Sequence, residues 1–318
     1  MLRYFPGLMF LAVIICSHAG AVDQKPTEAL PAMMTKQEML WQKLTNTISH
    51  ISRDMDGVIG VAIVDLTDGN QLVIAGDEVF PVASSIKIAI LAELYRQSQR
   101  PDSHAKLTDL YTMNAADLVD SSAIMAGLTP GVTRVTNRDL AVFMVTVSDN
   151  AATNVLIDRV GLDNINRMLE NQNLINTRLR RKMIDLDAAK AGRENTSTPR
   201  EMATLLENIY RCKVLDSSST ADFIRVLSTP KESYIPRYLP EDLQVANKPG
   251  SLAGVRSDCG IIFVPRRPFI ISVMTTYVGD EKAAEEAIAR IAEAAFKYFD
   301  IVGASSGYGR ILYPRSRM

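Results

Sequence analysis

The sequence predicts a mixed α/β fold of two lobes, in which a helical block is inserted between the strands of one sheet. Strand patterns occur near both ends of the chain, at VIGVAIVDL (58–66) and QLVIAG (71–76), and again at CGIIFV (259–264) and FIISVMTTYV (269–278). Between about residues 85 and 230 the apolar periodicity is mainly helical. We therefore expect strands from both ends to share one sheet, with a cleft between the two lobes.

Three helices are marked by sequence signals at their ends. Thr35 and Glu38 form a capping box that opens a helix to about Ile51. Thr198, followed directly by a proline, starts another helix. A last long helix is predicted over about 280–299. The resulting plan is a signal peptide (1–21), a flexible leader (22–34), an α/β lobe (35–83 and 236–302), an all-helical lobe (84–235) and a C-terminal tail (303–318).

The first 21 residues resemble a secretory signal. Arg3 is their only charge, the apolar run LMFLAVIIC spans 8–16, and Ala19-Gly20-Ala21 offers a small-residue cleavage site. The alternative is an uncleaved membrane anchor, but a span needs roughly 20 apolar residues. We expect a secreted or periplasmic protein with no membrane attachment after cleavage.

Composition excludes several classes of protein. The chain has 318 residues with a formal net charge of -1, so no basic surplus indicates a nucleic-acid partner. Beyond the predicted signal peptide, Cys212 and Cys259 are the only cysteines, too few for a cysteine-ligated zinc site. We favour two buried thiols over a disulfide. The remaining histidines, His50 and His104, have no informative partners, so the base of a serine enzyme here is not expected to be histidine.

A serine and a lysine three residues apart are the first candidate for chemistry. The pattern occurs at Ser84/Lys87, Ser103/Lys106 and Ser228/Lys231. Only the first pair, in FPVASSIK (80–87), stands at the start of a strong helix pattern; the second lies in a polar loop and the third flanks a proline.

Helical spacing gives the Ser84/Lys87 pair a physical meaning. Residues three apart lie on one helix face, and a helix N-terminus favours a developing anion. A partly buried lysine in a positive field has a lowered pKa, so its neutral amine can deprotonate a nucleophilic serine. The alternative is a capping serine beside a solvated lysine.

Two further motifs follow along the chain. Ser148-Asp149-Asn150 is either a helix N-cap or a site in which the Ser148 hydroxyl relays a proton and the Asn150 amide holds substrate and Lys87. Lys248-Pro249-Gly250-Ser251 is either a turn or a strand whose lysine attracts a carboxylate. In the second case the backbone N–H of Ser251 joins that of Ser84 as an oxyanion hole.

Together, in this order, the three motifs resemble those of the penicillin-recognising serine enzymes, and class A β-lactamases in particular. The resemblance covers about residues 36–300 and includes SDNAATNVLIDRVG (148–161) and ENTSTPREMATLLENIY (194–210). It implies a five-stranded antiparallel sheet flanked by helices beside an all-helical lobe. It also implies a monomeric hydrolase whose Ser84 is acylated by the substrate. The substrate is a β-lactam or a peptidoglycan-like compound, and no metal or organic cofactor is needed.

The sequence departs from the family pattern in the loop that hydrolyses the acyl-enzyme. Where the family has Glu-x-x-Leu-Asn, this chain has Met183-Ile184-Asp185-Leu186-Asp187. Methionine cannot accept a proton, so Asp185 and Asp187 are the candidate bases; the alternative is that neither has a catalytic role.

Two other positions also differ from the family. Asn195 stands where an aspartate usually pairs with Arg181, and Glu194 next to it is the candidate replacement. Pro249 replaces a hydroxyl residue, so Ser251 is expected to bind the substrate carboxylate, with Arg256 adding charge unless it is simply solvated. Alternatives to a β-lactamase are therefore a D-Ala-D-Ala peptidase or esterase on the same framework, or a covalent β-lactam-binding protein with impaired deacylation.

Overall fold

The structure, a computed structural model, describes residues 34–103 and 105–314, in which strands near both ends of the chain enclose a mainly helical stretch. The strands are β1 (Val58–Asp65), β2 (Gln71–Ile74), β3 (Phe80–Pro81), β4 (Leu110–Thr112), β5 (Arg134–Thr136), β6 (Thr196–Ser197), β7 (Val245–Leu252), β8 (Val255–Ile262) and β9 (Phe269–Thr276). The α-helices are α1 (Lys36–Asp54), α2 (Lys87–Ser98), α3 (Asn137–Thr146), α4 (Asn150–Val160), α5 (Leu162–Asn171), α6 (Leu186–Lys190), α7 (Pro199–Tyr210), α8 (Ser217–Leu227) and α9 (Glu281–Ala304). The predicted signal peptide and all but the last residue of the predicted leader lie outside the described residues.

One antiparallel sheet of five strands organises the fold, in the order β2-β1-β9-β8-β7. Strands from the two ends of the chain pair directly, with Val61 of β1 opposite Val273 of β9. Both strands are rich in β-branched residues and are buried on both faces, which explains their near-continuous apolar sequences. The predicted fold class is confirmed.

Each face of this sheet is covered by helices and has its own apolar core. Against one face, Leu44 and Ile48 of α1 pack with Ile288 and Ile291 of α9. The other face packs against α7 and the helical block. From Lys36 onward the described chain forms one compact unit; the boundaries of the two predicted lobes stay a prediction.

At the centre of the helical block, α2 is enclosed on every side. Its residues from Ile88 to Tyr95 are fully buried. The one acidic residue among them, Glu93, accepts hydrogen bonds from the Arg96 guanidinium at 2.6 and 2.8 Å. A helix packed on all faces is a rigid support, and the Ser84 turn lies directly at its N-terminus.

Element ends differ from the sequence predictions by a few residues. The first helix reaches Asp54 rather than about Ile51, and the last extends to Ala304. The pairs β3–β6 and β4–β5 were not predicted, because strands of two or three residues are shorter than any periodicity. Cys212 and Cys259 do not pair, and the expectation of two buried thiols is wrong for Cys212, which is exposed. Within the described ranges, no helix combines the length and apolarity that crossing a bilayer requires.

Candidate active site

The segment that carries Ser84 is a tight turn between β3 and α2. Residues Ala83–Ile86 form a single 3-10 turn, entered through Ala83 at φ +47°, and α2 begins at Lys87. No side chain caps the turn or the helix, so the interpretation of Ser84 as a capping residue is wrong. The neighbouring Ser85 instead donates to the carbonyl oxygen of Lys248 at 2.8 Å, which fastens the turn to β7.

A hydrogen-bond chain joins Ser84 to Lys87 through Ser148. The Ser148 Oγ donates to the Ser84 Oγ at 2.9 Å. The Lys87 Nζ donates to the Ser148 Oγ at 2.9 Å, to the Ser148 carbonyl oxygen at 2.7 Å and to Asn150 Oδ1 at 3.0 Å. Ser148 has φ +57°, a left-handed conformation that places both its oxygens against the amine. Four residues of the first two motifs, Ser84, Lys87, Ser148 and Asn150, thus meet at one point.

The Lys87 amine lies in surroundings that favour its neutral form. Its side chain is 1% exposed. Burial, and secondly the positive charge of Lys248, hold the pKa of Lys87 well below its ordinary value, while Asp149 opposes the shift. In the neutral form, two N–H groups of the amine serve the Ser148 carbonyl oxygen and Asn150 Oδ1, and its free electron pair faces the Ser148 hydroxyl, through which a proton can arrive.

Asp149 has a structural task between Ser148 and Asn150. Its carboxylate caps α4 by accepting from Ala152 N at 3.0 Å, and it also accepts from the backbone N–H groups of Ile124 and Met125, both at 2.9 Å. The N-cap interpretation of this motif therefore holds for its aspartate, while its serine and asparagine contact Lys87.

The third motif is a strand, not a turn, and its backbone passes close to Ser84. Lys248, Gly250 and Ser251 all lie in β7, paired with β8. A Cβ placed on Gly250 would be 2.8 Å from the backbone nitrogen of Ser84. Only a glycine permits that approach, which brings the β7 backbone beside the N–H of the candidate nucleophile. Ser251 is exposed and lines the cleft.

Lys248 is buried beneath the cleft with two groups that sequence reasoning missed. Burial lowers the pKa of Lys248 to about 7, while Asp258 raises it and Lys231 lowers it. Lys231 lines the same cleft and donates to the Leu227 carbonyl oxygen at 2.8 Å; burial lowers its pKa to about 8, again opposed by Asp258. Asp258 is fully buried, and its pKa is raised by burial. No sequence signal distinguished Lys231, which belongs to the serine–lysine pair set aside for its proline.

These groups surround a cleft of about 630 Å³. Most of its lining residues have polar side chains, and four of them lie in β7. The lining residues are Ser84, Ser121, Thr146, Val147, Ser148, Asn150, Pro230, Lys231, Glu232, Tyr234, Lys248, Pro249, Gly250 and Ser251. Six of the nine predicted site residues, namely Ser84, Lys87, Ser148, Asn150, Lys248 and Ser251, therefore lie in or directly behind one cleft.

The other three predicted site residues lie elsewhere. Asp185 is exposed and caps α6, accepting from Ala188 N at 2.9 Å. The side chain of Asp187 is 98% exposed. Arg256 is buried with its guanidinium bound by Glu281 and Glu285 and by two backbone carbonyls. None of the three lines the cleft, so the expected roles in catalysis and substrate binding have no geometric support.

The loop around Met183 is nevertheless firmly held. The side chain of Asn154 accepts from Met183 N at 2.8 Å and donates to Met183 O at 3.1 Å. Because Asn154 lies one turn after Asn150 on α4, Met183 is placed one helical turn from the partner of Lys87. Arg181 pairs with Glu194 at 2.7 Å, the contact that the sequence suggested.

Comparisons with known proteins agree with this arrangement. A family model described as the beta-lactamase enzyme family matches residues 41–299. Among curated proteins, the chain is 28% identical to beta-lactamase SME-1 of Serratia marcescens over 80% of this chain and 88% of that protein. It is 31% identical to beta-lactamase AST-1 of Nocardia asteroides over 77% and 79%. The solved beta-lactamase of Sphaerobacter thermophilus superposes with a TM-score of 0.73 at 29% identity, covering 81% of this chain and 97% of that one. An ancestral class A beta-lactamase gives 0.74 at 26% identity, covering 80% and 100%.

Proposed function

The chain belongs to the beta-lactamase enzyme family, as a class A beta-lactamase-like serine hydrolase, and from that premise we propose that it opens β-lactam rings through an acyl-enzyme on Ser84. The observation that carries this proposal is the continuous hydrogen-bond chain from Ser84 through Ser148 to a buried Lys87. A buried amine with a lowered pKa at the end of such a chain is a competent general base.

In the acylation step, the Ser84 Oγ forms a bond to the lactam carbonyl carbon. The two hydroxyl groups first rotate so that Ser84 donates to Ser148 and Ser148 donates to the neutral Lys87 Nζ, the reverse of the resting directions. The Ser84 proton then passes to the Ser148 Oγ, and the Ser148 proton passes to the Lys87 Nζ. The ring C–N bond then breaks, and the leaving nitrogen takes a proton back from Lys87 by way of Ser148. The backbone N–H groups of Ser84 and Ser251 would hold the developing oxyanion, because β7 lies against the Ser84 turn.

The cleft also supplies groups for binding an anionic substrate. Lys248 and Lys231 both line the cleft and would supply positive charge, and the Ser251 hydroxyl would replace the one that Pro249 lacks. The Asn150 amide, which contacts Lys87 and the Asp120 carbonyl oxygen, would hold a substrate carbonyl group. A carboxylate-bearing β-lactam matches this set of charges.

A second candidate function is favoured by Met183. With no carboxylate at this position, and with neither Asp185 nor Asp187 lining the cleft, the acyl-enzyme lacks an evident base for hydrolysis. A covalent β-lactam-binding protein with slow deacylation, or an esterase or D-Ala-D-Ala peptidase with a faster-leaving acyl group, would need only the acylating half of the site. We also propose that the protein is exported and acts as a monomer.

One experiment separates these functions. The protein is mixed with a chromogenic cephalosporin, and product formation is followed beside the intact mass of the protein. Sustained turnover supports the hydrolase, whereas one burst with a persistent adduct supports the binding protein. Neither signal, together with cleavage of an ester or a D-Ala-D-Ala peptide, supports the esterase or peptidase.

Two variants complete the test. Ser84→Ala should abolish both turnover and adduct. Ser103→Ala, a matched control from the second serine–lysine pair, which lies outside the cleft, should change neither. Activity that survives Ser84→Ala would refute the assignment.

A further inference from the structure

The segment after α9 exposes large apolar side chains on an ordered hairpin. Residues 305–314, here called the C-terminal hairpin, turn back so that Ser305 pairs with Ile311. Tyr308 at the tip is 90% exposed, and Ile311, Leu312 and Tyr313 are each about half exposed. Contiguous exposed apolar groups of this kind mark an interaction surface more often than ordinary protein surface.

Backbone hydrogen bonds fix this exposure in place. Leu312 N and Tyr313 N both donate to the carbonyl oxygen of Ala304, at 2.8 and 3.2 Å, and Ser306 N donates to Arg310 O at 2.8 Å. The hairpin is thereby fastened to the end of α9, which holds its exposed and half-exposed apolar side chains in a fixed place. Rigid presentation lowers the entropic cost of binding a partner.

The surroundings of the hairpin are positively charged. Residues 303–318 contain three arginines and no acidic residue. Arg266, from the turn between β8 and β9, stacks on the Tyr313 ring at 4.3 Å and donates to the Gly303 carbonyl oxygen at 2.8 Å. Lys36, at the start of α1, donates to the Tyr308 carbonyl oxygen at 3.3 Å. Cations from three separate parts of the chain thus border the exposed aromatic side chains.

We propose that the C-terminal hairpin docks on an anionic lipid surface. Tyrosine and leucine side chains are suited to the boundary between headgroups and acyl chains, and arginines beside them to lipid phosphates. A second copy of this chain fits less well, because a two-fold contact would bring the arginines of both hairpins together. We therefore favour the lipid surface over a second copy of the chain, because the negative charge of the lipid complements the arginines.

Co-sedimentation with vesicles tests this proposal. The chain is started at residue 22, since the unit from Lys36 onward has its own cores and the apolar run at 8–16 would bind lipid by itself. The unaltered protein should bind phosphatidylglycerol vesicles at low salt and dissociate from them at high salt. It should not bind phosphatidylcholine vesicles. Arg310→Gln should weaken binding about 5-fold, the contribution of one cation near an anionic surface.

The apolar contribution is tested by Tyr308→Ser combined with Leu312→Ser, which should weaken binding to the anionic vesicles at least about 10-fold. Tyr277→Ser is the matched control, because Tyr277 is 83% exposed on a different turn, directly after β9. All variants should keep the thermal midpoint and the cephalosporin reaction of the parent protein. Absence of vesicle binding by the parent, or equal binding by the double variant, would overturn the proposal. So would a dimer in sedimentation velocity that the double variant abolishes while no vesicles are bound.

Discussion

Burial lowers the pKa of each of the three lysines of the cleft, Lys87, Lys248 and Lys231, and their charged neighbours differ. The pKa of Lys87 lies well below its ordinary value because of burial and, secondly, the charge of Lys248. Lys248 and Lys231 are held at about 7 and about 8, with Asp258 opposing the effect of burial on both. The first lysine is thus suited to accept a proton, and the other two to attract an anion at or below neutral pH.

The binding of an anionic substrate is therefore predicted to weaken as the pH rises. A lysine is charged below its pKa and neutral above it, so Lys248 and then Lys231 lose their charge as the pH passes about 7 and about 8. KM for a carboxylate-bearing cephalosporin should rise at least about 10-fold between slightly acidic and alkaline pH, as expected when hydrogen bonds to charged groups are lost. Steady-state kinetics across this range, with a neutral ester substrate as the control, make the comparison. An equal rise for both substrates would contradict the role of the lysines.

Met183 is predicted to limit hydrolysis of the acyl-enzyme. Met183→Glu places a carboxylate at a backbone position that Asn154 holds one helical turn from the Asn150–Lys87 contact. The lifetime of the acyl-enzyme should fall by a factor of about 10²–10⁴, the usual contribution of a general base.

Met183→Gln is the matched control, with the same shape and no base. Intact-mass measurements after a pulse of penicillin give the two lifetimes. If the glutamate variant deacylates no faster than the glutamine variant, Met183 does not occupy the position of the missing base.

At the scale of elements, the sequence predicted the strands of the sheet. It did not predict how β7 packs against the turn that carries Ser84. Strands β1 and β9 were predictable from their continuous apolar runs, because each strand is buried on both faces. β7 was open to interpretation as a turn, since Pro249 and Gly250 interrupt its pattern. Its role depends on contacts 163 residues apart in sequence, such as that between Ser85 and Lys248, which no local pattern contains.

Two features of the site, the position of Lys231 and the partners of Arg256, could not be predicted from local sequence patterns. Ser84, Ser148 and Lys248 were identified from motif order, whereas Lys231 became visible only through its place in the cleft. Arg256 appeared free in sequence, but its partners Glu281 and Glu285 come from α9, beyond the next strand.

The close passage of β7 past the Ser84 turn is predicted to be essential. Gly250→Ala would place a methyl group 2.8 Å from Ser84 N and 2.6 Å from Ser257 Oγ, so β7 or the turn must move. Acylation should slow about 10²–10³-fold, the effect of losing one oxyanion donor. Gly127→Ala is the control, because a Cβ there meets nothing within 4 Å. Stopped-flow measurements give the acylation rates of both variants and the parent protein. An acylation rate of Gly250→Ala within a factor of a few of the parent rate would refute the close approach.

At the scale of the whole molecule, two cores share one sheet, so damage to either is expected to reach the site. Ile291 is fully buried on the face of the sheet opposite α7. Ile291→Ala should lower the free energy of unfolding by about 2–5 kcal/mol. In urea, circular dichroism and acylation by a β-lactam should be lost at one common midpoint, lower than that of the parent. Two separate midpoints would show that the two cores unfold independently.

The most direct measurement is rapid-quench peptide mapping of the protein mixed with a penicillin. The covalent increment should appear within one turnover on the peptide that contains Ser84, and it should fail to form when Lys87 is replaced by methionine. An increment on any other peptide, or ring opening that proceeds with no increment on the protein, would contradict the proposal that a serine activated through Ser148 by a neutral lysine performs the reaction.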